Sequence, residues 1–111
     1  MHPVTTLSFP DQTYTLILGA SSGFGAATAR ACARNGVHVV GVHLDRGAAM
    51  PAVEALQAEI RAEGVEAHFF NVNAADPVQR TTVLDAMGEV FAAQGGGSFR
   101  LLMHSLAFGT L

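Results

Sequence analysis

The sequence contains no lysine and no tryptophan, a single cysteine, Cys32, and a single tyrosine, Tyr14. One thiol cannot close a disulfide within the chain, which fits a reducing compartment. Positive charge is confined to Arg30, Arg34, Arg46, Arg61, Arg80 and Arg100, scattered along a chain of net charge −3. With no basic stripe, the pattern gives no sign of nucleic acid or anionic membrane as a partner. Long apolar runs are missing too: "LLMHSLAFGTL" is too short to span a bilayer. "MHPVTTLSFPDQ" lacks the basic and apolar regions of a signal peptide. Together these absences predict a soluble cytoplasmic protein.

Half of the residues are hydrophobic and only 14% are charged, which is not the composition of a disordered chain. A length of 111 residues fits one domain, 1–111, with a modest core. Strand and helix patterns alternate along it. Tyr14 to Ala20 is a short apolar run that stops in glycine, and Gly23 to Asn35 reads as a helix ended by Gly36. The apolar positions of that helix are alanines (Ala26, Ala27, Ala29, Ala31 and Ala33), which allow close approach to a sheet. Val37 to Leu44 is a second strand. The helix "PAVEALQAEIRAEG" sets Val53, Leu56 and Ile60 on one face. Glu66 to Val72 is a third strand. Asp76, Pro77 and Gln79 mark the start of a helix that runs to about Gln94, with Val83, Leu84, Met87, Val90 and Phe91 inward. After the break at Gly95 to Gly97, "FRLLMHSLAF" is a fourth strand and its exit. The order β-α-β-α-β-α-β predicts a parallel α/β sheet with right-handed crossovers.

The first strand-to-helix turn, "GASSGFG", carries the chemistry. Glycines permit positive φ and let a ligand approach the backbone, and the following helix points unpaired N–H groups and a positive dipole end at the turn. Ser21 and Ser22 add hydroxyl donors. The opposing reading is a tight turn with no ligand. The G-x-G-x-x-G fingerprint is not completed, because Ala26, Ala27 and Thr28 follow Gly25; Gly19-x-x-x-Gly23-x-Gly25 is what fits. Gly36 stands eleven positions beyond Gly25.

This turn resembles the cofactor-binding turn of the short-chain dehydrogenase/reductase family, and the resemblance extends along nearly the whole chain. It implies a Rossmann-type, doubly wound parallel sheet in the order 3-2-1-4, cut after the fourth strand. It also implies a nicotinamide dinucleotide held by Gly19, Ser21, Ser22, Gly23, Phe24 and Gly25. NAD-using members usually carry an acid at the end of the second strand, where this chain has His43. NADP-using members often carry a basic residue just after it. Asp45 lies twenty positions beyond Gly25, near the spacing of an acid on the ribose hydroxyls, whereas Arg46 suits a 2′-phosphate. A plain solvated loop is the third reading. With no acid aligned at His43, the resemblance leans slightly to NADP over NAD.

Asn71 and Val72 take the place of the family's "D-V" beside the adenine, and the extra "NAA" before Asp76 gives that loop its own shape. At the fourth strand's end, His104, Ser105, Leu106 and Ala107 replace "N-N-A-G" beside the cofactor ribose. That stretch is similar to the "H-S-I-A-F" of the enoyl-acyl-carrier-protein reductase branch, although the first glycine turn has the ordinary family form.

The five histidines show no metal-ligand spacing, so no metal is expected. His38 and His43 lie on opposite faces of one strand, and Ser105 beside His104 is no nucleophile–base pair. Cys32 reads as a packed residue. The family's chemistry is hydride transfer between a nicotinamide and a carbonyl, alcohol or enoyl substrate. It needs a Tyr-x-x-x-Lys pair and a serine beyond the fourth strand. With no lysine, and with Tyr14 ahead of the first strand, no catalytic residue carries over. The expectation is the N-terminal, cofactor-binding part of a reductase whose complete form is a homo-oligomer. A non-catalytic nucleotide-binding or dimerising module, or a truncated product without activity, is the alternative.

Overall fold

The computed structural model describes residues 10–105. Strands β1 (Thr13–Leu18), β2 (His38–His43), β3 (Ala67–Asn71) and β4 (Ser98–His104) alternate with helices α1 (Gly23–Arg34), α2 (Met50–Ala62) and α3 (Pro77–Ala93). All strand pairs are parallel, in the order β3-β2-β1-β4. This is the doubly wound arrangement that the sequence pattern predicts, with the first strand central and the fourth at an edge. Element ends differ from their sequence readings by a residue or two: β1, α2 and β4 begin one residue earlier, and β2 and β3 lose one at each end. A short 3₁₀ turn at Gly47–Ala49, which the sequence gave no sign of, leads into α2.

The two faces of the sheet are covered unequally. On one, Ile17 and Val39 of the sheet pack against Ala29, Cys32 and Ala33 of α1 and Leu56 and Ile60 of α2. The sheet is tightly packed on this face as well: a Cβ on Gly41 of β2 would stand 2.8 Å from the Ala20 Cβ and the Phe69 ring. Ala27 does not join the packed face; it is exposed, on the side of α1 away from the sheet. On the other face, Tyr14, Val40 and Val42 pack against Val83 and Met87 of α3. Leu84, expected inward, is 54% exposed, because among the described residues α3 is the only helix on this face and an open groove separates it from β4.

Candidate functional site

The chain leaves β1 at Leu18 and turns at Gly19, whose φ of +88° lies in the left-handed region that strains any residue with a Cβ. The N–H groups of Gly19 and Ala20 both donate to the Val42 carbonyl, at 2.8 and 3.0 Å, and tie the turn to β2. The Gly19 carbonyl accepts the Ser22 hydroxyl at 2.8 Å and the Ser22 N–H at 3.2 Å. Gly25 packs directly over that carbonyl, and a Cβ there would collide with its oxygen. Packing therefore demands glycine at 19 and 25. Gly23 is different. A Cβ there would meet nothing within 4 Å, so packing within the chain does not require glycine at this position. Bare backbone beside open space is what a closely bound ligand needs.

Ser22 occupies the N-cap position of α1, yet its side chain makes no cap hydrogen bond, and the first turn holds no acid. The N–H groups of Gly23, Phe24 and Gly25 have no protein acceptor among the described residues. The start of α3 is closed by contrast. Asp76 accepts the Val78 N–H at 2.9 Å and the Gln79 side-chain amide at 3.0 Å. The Val78 N–H and then Gln79 hold the Asp76 carboxyl below its usual range. One helix start is neutralised by its own chain; the other presents free donors and a positive dipole end, the combination that attracts an anion.

Above this turn, at the C-terminal ends of the strands, lies an open cleft of about 310 Å³. It brings together Gly19, Ser21, Ser22, His43, Val72 and Ser105. Ser105 is placed by its N–H, which donates to the Leu18 carbonyl at 2.8 Å, and its hydroxyl stands 3.5 Å from that of Ser22. Phe24 is 81% exposed and lies outside the cleft, as does Arg46. Leu106 and Ala107 lie outside the described residues. Asn73 and Ala74 line the cleft although neither was singled out as a site residue. The unusual "NAA" was their signal: the Asn73 side chain accepts the Ala75 N–H at 2.9 Å and folds the loop over the cleft.

Asp45 lines a second hollow of about 170 Å³, between α1 and the start of α2, with Ser21 and Arg30. Its backbone is gripped from both sides by one side chain. The Asp45 N–H donates to Asn71 Oδ1 at 3.0 Å, and Asn71 Nδ2 donates to the Asp45 carbonyl at 2.9 Å. The carboxylate folds back to 3.0 Å from Nδ1 of His43, a residue only 3% exposed. An acid two residues further along the chain thus reaches back to the strand-end histidine. An apolar groove of about 170 Å³ on the α3 face is lined by Leu16, Leu18, Val83, Leu84 and Leu102, with Arg80 its one charged residue. Cys32 is buried, and burial pushes its thiol pKa up, which suits packing rather than reactivity.

A parallel sheet in 3-2-1-4 order, with a glycine turn and an open helix start at its switch point, defines a dinucleotide-binding fold of the Rossmann class. The family model for short chain dehydrogenases matches residues 13–96, and the chain belongs to that family. No curated protein matches it. Solved structures do. A ketoreductase from the first module of phoslactomycin biosynthesis in Streptomyces sp. HK803 is 27% identical over 94% of this chain, with a TM-score of 0.70. An NADH-dependent reductase solved with NAD is 29% identical over 74%, with a TM-score of 0.59. A blue fluorescent protein from a metagenomic library, solved with NADPH, is 25% identical over 68%, with a TM-score of 0.62. The matches span 24%, 33% and 30% of those chains, so this chain covers a third or less of each.

Proposed function

We propose that this chain is the nicotinamide-dinucleotide-binding part of an oxidoreductase that moves hydride between the coenzyme and a carbonyl, alcohol or enoyl substrate. The observation that carries the reading is the open start of α1. Three unpartnered N–H groups at the helix start, together with Ser21 and Ser22 lining the cleft beside it at the sheet's switch point, suit a pyrophosphate. His43 and Val72 then border the adenosine, and Ser105 borders the ribose nearer the nicotinamide. NAD and NADPH in two related structures support a nicotinamide coenzyme of either kind. When bound, the coenzyme supplies the hydride; this chain's residues hold and orient it.

A proton donor for the substrate is not provided here. There is no lysine, and Tyr14 is buried at the end of β1 opposite the glycine turn. The complete enzyme, a homo-oligomer in this reading, takes its general acid from elsewhere. Among the described residues no helix is long and apolar enough to cross a membrane. Fluorescence titration of NADH and NADPH into the chain tests the reading. Saturable binding is expected, weakened at least tenfold in Gly23→Ala, whose Cβ would stand over the turn with nothing else within 4 Å of it. Equal affinity in the variant would remove the glycine turn as the site.

A further inference from the structure

We propose that Asn71 is a positioning residue: its side-chain amide stands in for a peptide group and holds the loop after β2 in the shape that receives the adenosine end of the coenzyme, without touching the base. The inference rests on the coenzyme-binding reading above and deepens it by naming what builds that end of the site.

The β2–β3 ladder ends where His43 pairs with Asn71, and the Val72 N–H closes it on the His43 carbonyl at 2.9 Å. Beyond His43 the chain has no strand beside it among the described residues. Asn71 continues the pairing with its side chain. A primary amide offers the acceptor and the donor of a peptide unit. Oδ1 takes the Asp45 N–H at 3.0 Å, and Nδ2 donates to the Asp45 carbonyl at 2.9 Å. Nδ2 also reaches Met50 Sδ at 3.7 Å, at the first residue of α2. One side chain thus ties the end of β3 to both ends of the segment 45–50. Asp45 and Ala49 of that segment line the hollow beside Ser21, and Ser21 also lines the cleft. Asn71 lines neither space, whereas the next two residues, Val72 and Asn73, both line the cleft.

The grip requires an amide. An aspartate at 71 has the same shape, but its carboxylate would meet the Asp45 carbonyl as a second acceptor with no proton between them. A leucine would leave both Asp45 backbone groups to water. In either variant the loop must be ordered as the coenzyme binds, and that ordering lowers the affinity. A residue that reads the adenine amino group makes the opposite demand. It needs only an acceptor, so a carboxylate serves as well as the amide.

The test titrates NADH and deamino-NADH, in which a carbonyl replaces the adenine amino group, into wild type, Asn71→Asp and Asn71→Leu. Both variants are expected to bind both coenzymes about five- to tenfold more weakly than wild type. The ratio of the two affinities is expected to stay within about twofold of the wild-type ratio throughout. Amide hydrogen exchange, read by NMR on the free proteins, separates a loosened loop from a damaged fold. The Asp45 amide is expected to exchange faster in Asn71→Leu while the amides of β1 keep their protection. An Asn71→Asp variant with wild-type affinity for NADH overturns the proposal, and so does an affinity ratio that collapses in Asn71→Leu, which would make Asn71 a base contact. If the variants do not fold, wild type alone decides: an Asp45 amide that exchanges as fast as an open loop overturns the grip. Failure of both coenzymes to bind wild type is a distinct result that overturns the coenzyme-binding reading and this proposal with it.

Discussion

Tyr14 is the side chain that the sequence described least well. It was set aside as the wrong tyrosine for catalysis. In the fold it is fully buried and donates its hydroxyl to Glu66 at 2.7 Å, while the Gln94 amide donates to it at 3.0 Å. His68 meets the same Glu66 oxygen at 2.7 Å, and His38 accepts the Glu66 N–H at 2.9 Å. Two of the five histidines, whose spacing along the sequence signals no shared site, thus belong to one polar cluster joining β1, β2, β3 and the end of α3. Burial would raise the Glu66 pKa, but hydrogen bonds from His68 and Tyr14, aided by the histidine charges, hold it below the usual range. Burial pushes the Tyr14 phenol from its ordinary 10.0 up to about 12, the Gln94 bond opposing and Glu66 adding to the rise. A raised folded-state pKa stabilises the fold fully below the unfolded value and is lost as pH climbs from 10.0 toward about 12. With one tyrosine and no tryptophan, tyrosinate absorbance reports this residue alone. Titration is expected near 12 in the native chain and near 10 in urea; coincident curves would mean that Tyr14 is open to solvent. None of this was legible beforehand, because spacing along a strand says which face a residue takes but not what meets it from three other elements.

At the scale of the element, the starts of α1 and α3 make the useful comparison. Asp76, Pro77 and Gln79 announced the start of α3, and the structure builds the cap from those side chains. Asp76→Ala is expected to cost about 1 kcal/mol of stability. Ser22→Ala is expected to cost only a few tenths, because its hydroxyl bonds the Gly19 carbonyl rather than a helix N–H. Urea denaturation of the two variants checks the difference, and equal losses would show that Ser22 caps α1 after all. Sequence pattern placed every helix and strand because glycine and proline punctuation agrees with hydrophobic period throughout. It missed the outward Ala27 and Leu84 for a common reason. Alanine fits either side of a helix, and apolar residues surround α3, so its period does not choose a face. The loop after β2 was illegible for a different reason: the reach of Asp45 back to His43 is set by Asn71, twenty-six residues later.

The whole molecule is lopsided. Two helices cover one face of the sheet and one covers part of the other, leaving Leu84 at 54%, Leu101 at 47% and Leu102 at 69% exposure around the edge strand β4. Bare apolar surface beside an unpaired edge promotes association. Leu102→Lys is therefore expected to leave the stability of the chain within about 0.5 kcal/mol of wild type while reducing concentration-dependent self-association in sedimentation velocity. A large fall in melting temperature would mean that Leu102 is packed. The strand order that the family resemblance implies already sets the fourth strand at the end of the sheet, where among the described residues nothing pairs its outer side.

The turn of Ser22 toward Gly19 sets folding and recognition against each other at one position. A stronger cap at residue 22, such as an aspartate, would steady α1 by occupying the N–H groups assigned to the proposed pyrophosphate, and would place a negative charge beside them. Stability gained there comes out of affinity. In this reading the first turn of α1 is a poor target for thermostabilisation by helix capping, even though by the ordinary rules for helix ends it is an unfinished start.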